Sequence, residues 1–378
     1  MKNSNAKVKL IKLSFIFILC IGIYIYFRSN ISYLPVEDLY IPSAIGVDIT
    51  KFSQNNIEYQ AGISAYLFSQ DGTGKSTVQI GKAATLPQTR QSRQLHSDHK
   101  FILGLEKVDI FSEDFAKYGI NPFINGTFQN SNINDTSNTC VFDGKIEELL
   151  NINLESYPSV GDFLEGLLKR STDYNFFSDN YKLMDIYVRL DAEGRTVVLP
   201  YITLKEKEPR IIGMALFNKD KMVKTLNIQD TRIMNLLREN NVRGMFSLKY
   251  SPKEYIDYYP TSKRKVKCTK VGDKYKFLIE LDLMGDIVSN TLIPDISHNE
   301  EMRNKFQDAM SKYVEASCNK FIEKMQKDYK IDCLELGRIA ASKYGRRSGV
   351  DWNKVISEQS NIDVKVKVKI NSTGRGAY

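Results

Sequence analysis

The stretch Ser69–Thr77 reads SQDGTGKST, and its second half has the residue types of a phosphate-binding loop. Such a loop needs a Gly five residues before the Gly-Lys pair, and a helix whose first amides hold the phosphate. Ser69 stands where that glycine belongs. After Lys75 comes Ser76, Thr77, Val78, Gln79, Ile80, a β-favouring string broken by Gly81. The pattern therefore predicts a polar connection between strands, with no nucleotide.

His96-Ser97-Asp98-His99 places two imidazoles and a carboxylate together. A catalytic zinc takes three protein ligands in fixed geometry, and the remaining histidine, His298, is remote in sequence. The expectation is a loop entering a strand at Lys100, with no metal site. Neither a G-x-S-x-G elbow nor a Cys-His spacing of a known nucleophile is present, so no catalytic residue and no cofactor-binding residue is assigned. Cys140, Cys268, Cys318 and Cys333 are spaced without a close pair and read as core thiols rather than a disulfide framework. The basic run Ser262–Lys270, SKRKVKCTK, reads as the solvated face of an edge strand; contact with anionic headgroups is the functional alternative.

The N-terminus frames all of this. Leu13–Phe27 is an uninterrupted apolar run preceded by Lys2, Lys7, Lys9 and Lys12. Extended back to Leu10, it is a slightly short membrane span, and the lysines place its start on the cytoplasmic side. An uncleaved anchor is expected. A cleaved signal peptide would need a small-residue cleavage site that YFRSNISYL does not offer, and lipidation at Cys20 would follow Leu19, a poor neighbour. The four lysines account for half of the +8 formal charge. The rest is too dilute for a nucleic-acid-binding face, so no nucleic-acid partner is expected.

The 378-residue chain as a whole has a globular composition, 42% hydrophobic and 26% charged. Ile57–Leu67 alternates as a half-buried strand, as does Lys274–Gly285. Lys100–Ile110 and Tyr181–Leu190 read as strands. Helices are expected after Pro87, over Ser112–Gly119, within Asp143–Ile152 and Ser159–Arg170, near Gln229–Asn240, and over Cys333–Gly345. A long helix is expected from a capping box of Ser297 and Glu300, with a stripe of Met302, Phe306, Met310, Tyr313, Ser317, Phe321, Met325 and Tyr329. The close, DVKVKVKI, alternates valine inward and lysine outward. Asp191–Pro209 is the best boundary. The expected organisation is a basic tail (1–12), an anchor (13–27), an N-terminal domain (28–205) with room for two subdomains, and a C-terminal domain (206–378). The fold class is α+β, with mixed or antiparallel sheets and packed helices.

Several stretches in order make the chain resemble the Ger(x)C family, the C subunits of spore germinant receptors. VEDLYIPSAIGVDIT carries Asp38, Leu39, Gly46 and Asp48, and DHKFILGLEKVDIFSEDFAKYGINPFI follows. IGMALFNKDKMVKTL carries Gly213, Ala215, Phe217, Asp220, Lys221 and Val223. The close carries Asp332, Gly337, Trp352 and Gly374. Members of the family usually mature as lipoproteins, whereas this chain has no cysteine between Arg28 and Glu37. The resemblance implies a non-enzymatic ectodomain on the outer face of the spore inner membrane, assembled with A- and B-type subunits and meeting nutrients only through that complex. The rival reading is an extracytoplasmic solute-binding or hydrolytic domain on a membrane stalk.

Overall fold

The computed structural model describes residues 2–29, 34–53, 56–68, 74–293, 295–346 and 349–373. The chain opens with helix α1 (Lys2–Ser29), whose window Ile11–Arg28 has a mean hydropathy of 1.8 and buries nothing against the rest of the protein. Strands β1 (Leu39–Ser53), β2 (Asn56–Phe68) and β3 (Gly74–Ala83) follow as an antiparallel meander. Next come α2 (Leu86–Gln94), β4 (Lys100–Phe101), β5 (Val108–Ser112), α3 (Glu113–Tyr118), α4 (Asn121–Phe128) and β6 (Asn138–Phe142). Helices α5 (Ile146–Leu150), α6 (Val160–Arg170) and α7 (Leu183–Asp191) lead to β7 (Val198–Lys205), β8 (Glu208–Asn218) and β9 (Lys221–Asn227).

These strands make one mixed sheet in the order β3-β2-β1-β5-β6-β7-β8-β9, with β4 beside β1. Its middle, from β1 to β7, is parallel, and helices carry the crossovers from β5 to β6 and from β6 to β7. Asp48 of β1 fastens two of those helices. Its carboxylate accepts from the Ser112 hydroxyl at 2.7 Å and from the Ile146 amide at 3.4 Å, at the starts of α3 and α5. Ser112 in turn caps α3 by accepting from the Phe115 amide, and Gly119 ends it at φ +134°.

The β7–β8 turn at Glu206–Lys207, both at positive φ, carries the sheet across the expected boundary near 205. Helix α8 (Ile228–Arg238) then leads to a second sheet, β10 (Phe246–Ser251), β11 (Glu254–Val271), β12 (Lys274–Asn290) and, after three helices, β13 (Ser360–Ser372). The helices are α9 (Glu300–Lys324), α10 (Leu336–Tyr344) and α11 (Trp352–Glu358). In β13, Val364, Val366 and Val368 are buried while the lysines between them point out. Its outer edge is occupied by α9: the amides of Val366, Val368 and Ile370 donate to Glu315, Ser311 and Gln307. Two strand residues rise about 6.6 Å and four helix residues about 6 Å, so the two spacings match over these rungs. The helix thus covers an edge that would otherwise pair with another strand.

Several local expectations are corrected. Tyr181–Leu190 is not a strand: α7 occupies 183–191, because Leu183, Ile186 and Arg189 form one buried helical face. Lys100–Ile110 is split into β4 and β5 by a loop in which Glu106 accepts from the Gly104 and Asn134 amides. The α9 cap is Asn299, which accepts from the Met302 amide, not a Ser297–Glu300 box. The α8 cap is Asn227 rather than Gln229 or Asp230. The buried stripe of α9 passes through Val314 and Cys318, leaving Tyr313 exposed, since 3.6 residues per turn rotates the face away from Tyr313 and Ser317.

Candidate functional site

The largest concentration of buried charge lies where α7, α8 and the segment before α10 converge. Arg238 is the last residue of α8, where a cation suits the helix dipole. Its side chain is 2% exposed. It donates to the Cys333 carbonyl (2.7 Å), the Thr196 carbonyl (2.9 Å), Glu335 (2.8 Å) and Glu239 (3.1 Å). Arg189 of α7 approaches the same Glu335 oxygen at 3.3 Å and donates to the Asn180 carbonyl. Arg264, facing inward from β11, donates to the Leu334 carbonyl, and Arg338 meets the other Glu335 oxygen at 3.5 Å.

The segment 330–336 is shaped to offer those acceptors. A π turn at Met325–Tyr329 ends α9, and Lys330 and Glu335 both adopt positive φ. Asp332, fully buried, holds the start of α10 by accepting from the Leu336 (3.0 Å) and Gly337 (2.6 Å) amides. Two glycines let neighbouring segments close on this turn. A side chain on Gly194, at φ +69°, would lie 2.3 Å from the Arg338 amide nitrogen, and one on Gly337 would lie 2.6 Å from Trp352. Trp352 completes the contact by donating to Glu193 at 2.9 Å.

The electrostatics follow from burial and pairing. Burial opposes the charge on Arg238, but Glu335 and Glu239 outweigh it and raise its pKa. Glu335 likewise resists burial because Arg238, Arg189, Arg195 and Arg338 surround it, which holds its pKa below the ordinary value. Arg264 is pushed down to about 10 by burial, and Asp332 is raised to about 6 by burial against the pull of its two amide partners. Burial also raises the Cys333 thiol, which keeps it protonated. Over this cluster opens a cleft of about 970 Å³ whose charged walls are Asp191, Glu193, Arg195, Arg338, Lys343 and Arg346. Cations outnumber carboxylates there, so the cleft attracts anionic groups. Guanidinium forks suit the binding and positioning of such groups rather than proton transfer.

The residues singled out in the sequence lie elsewhere. Lys75 pairs with Leu67 inside β3, and the next helix starts only at Leu86; Ser69–Thr73 fall outside the described residues. His96 and His298 are exposed, while His99 stacks on Tyr40 at 4.6 Å and pairs with Asp98. Among the described residues no group of three His, Cys, Asp or Glu is arranged for a metal. Cys140, Cys268, Cys318 and Cys333 are buried free thiols, and Cys20 is exposed on α1. In Ser262–Lys270 the lysines point to solvent on a half of β11 that β10 does not reach, but Arg264 turns inward to the cluster. Sequence reasoning missed Arg189, Arg238 and Glu335. Arg189 and Glu335 sit between apolar neighbours, in YVRL and CLELG, and Arg238 ends an apolar run in LLRE; a charge set against apolar residues is the signal that would have found them.

Residues 32–204 match the family described as spore germination protein N-terminal domain, and residues 212–374 match that described as spore germination B3/GerAC like, C-terminal. The spore germination protein GerQC of Bacillus cereus is 24% identical over 309 residues, covering 80% of this chain and 85% of its own length. The crystal structure of the GerBC protein shares the fold, with a TM-score of 0.55 at 13% identity over 90% of this chain and all of that one. Of the residues that carried the resemblance, Asp48, Asp332, Gly337 and Trp352 prove to be fasteners of the frame, three of them at the charged junction.

Proposed function

The chain belongs to the Ger(x)C family of spore germination proteins, and from that premise we propose how it works. It is the C-type subunit of a nutrient germinant receptor, assembled with A- and B-type subunits at the spore inner membrane. Helix α1 is the anchor, and the two-sheet body lies on the outer side. The observation that carries this reading is α1 itself: an 18-residue apolar window is exposed along its length, with none of it buried against the described residues. Lysines ahead of it favour a cytoplasmic start. The role is non-enzymatic, with the charged junction setting the relative placement of the two sheets and its cleft open to an acidic patch on a partner subunit. Residues 28–205 and 206–378 act as the two functional halves on either side of the β7–β8 turn.

The test is affinity capture of the tagged full chain from detergent-solubilised membranes of dormant spores. A- and B-type subunits are expected in the eluate in comparable amounts. Recovery of the chain alone, or its presence in the soluble fraction with α1 intact, would refute the assembly. A deletion strain with no paralogue that still germinates normally in every nutrient would refute the receptor role.

A further inference from the structure

Between the β1–β2 face and helices α2 and α4 lies a cavity of about 260 Å³, remote from the charged junction. That is just below the range of drug-sized sites, about 300–1,000 Å³, and suits a smaller ligand. Ile45, Ile63, Leu86, Phe123 and Ile133 give it an apolar lining. Two cations reach it: Arg90, exposed at the mouth, and Arg93, which is 6% exposed. None of the described lining residues is Asp or Glu.

Arg93 differs from the paired arginines of the charged junction. Arg238 and Arg189 each meet a carboxylate. Arg93 has only neutral acceptors, the Ala61 carbonyl at 2.9 Å and the Thr89 hydroxyl at 3.3 Å, and its buried Nε has no partner. Burial, with Arg90 nearby, pushes its pKa down to about 10, so it stays charged at neutral pH. A guanidinium offers five N–H donors in a fork that matches a carboxylate, and a buried charge without a counter-ion is the arrangement proteins avoid.

We propose that this cavity binds a small apolar monocarboxylate, with the carboxylate on Arg93 and the hydrocarbon among Ile45, Ile63 and Phe123. The chemistry also states what it rejects. An amino acid of the same skeleton would bring an ammonium group beside two arginines with no acid to receive it. An uncharged amide would leave Arg93 without its counter-ion. This inference rests on the cavity alone and stands or falls independently of the receptor assembly.

The test uses the full chain in lipid nanodiscs, titrated calorimetrically with 4-methylpentanoate, 4-methylpentanamide and leucine against an empty-nanodisc blank. One 4-methylpentanoate per chain is expected, with the amide and leucine at least tenfold weaker. Arg93→Met, which keeps the stem, should weaken the carboxylate at least tenfold. Arg90→Gln guards against a folding defect: Arg90 is exposed at the mouth, so the change leaves the packing intact while removing the second cation, and it should weaken the carboxylate. The proposal is overturned by an absence of saturable carboxylate binding, by leucine or the amide binding equally well, or by binding that survives both substitutions.

Discussion

Glu335→Gln tests whether the charged junction holds the two sheets together. The substitution keeps the shape and removes the charge that Arg238 and Arg189 share, with side chains 2% and 9% exposed. Removing one partner of a buried pair costs about 3–5 kcal/mol, because the other charge stays buried. Arg238 keeps Glu239 and two carbonyls, so the low end, about 3 kcal/mol, is expected. With a urea m-value of about 3 kcal/mol/M, the midpoint falls by about 1 M. The chain's single tryptophan, Trp352, is 6% exposed and packs at this junction, so its fluorescence reports the right event. The pH dependence has a definite sign. Glu335 has a lowered pKa in the folded state, so its contribution is present above the unfolded value near 4.3 and is lost as pH falls through the lowered one. The gap between wild type and variant therefore closes below about pH 4. Glu301→Gln, an exposed helical pair with Lys305, serves as control and should match wild type. A Glu335→Gln midpoint within about 0.3 M of wild type, equivalent to about 1 kcal/mol at that slope, would refute the reasoning.

Four further substitutions probe three separate points. Gly194→Ala forces a side chain against backbone 2.3 Å away at φ +69°, so overpacking of about 1–3 kcal/mol adds to about 1 kcal/mol of backbone strain. Gly272→Ala, at φ +61° with open space around it, should carry the strain alone, and urea titrations of the two separate the contributions. Asp109 is buried with one oxygen unpartnered and its pKa raised to about 8. Its contribution is full below the unfolded value near 3.9 and is lost as pH rises through 8, so Asp109→Asn should remove a slope of about 1.4 kcal/mol per pH unit in that window. Lys75→Ala should leave germination rates unchanged, as its place in strand β3 requires; a germination defect would reopen the phosphate-loop reading.

The elements that the sequence announced were those whose signal is local. Ser112 followed by an acidic first turn and closed by Gly119 is complete within eight residues, and α3 forms there. The Val-Lys alternation of β13 is complete within seven. Tyr181–Leu190 misled because its apolar residues satisfy both periods, and only packing of Leu183, Ile186 and Arg189 against the core selects the helix. The junction was invisible for a different reason. Its ion pairs join residues 97 and 146 apart in sequence, and a charge inside an apolar helix face gives no hint of which distant charge it meets.

Strand β1 is the first strand after α1 and lies inside the sheet, hydrogen-bonded to β2 on one side and to β4 and β5 on the other. Whatever holds α1 therefore pulls on the middle of the body rather than on a peelable rim. A tug along the tether loads the β1 ladders in shear, so many hydrogen bonds must yield together instead of one after another. Through Asp48 the same strand also grips the starts of α3 and α5. A displacement of α1 that is passed on through residues 30–38 is thus delivered to the centre of the N-terminal sheet.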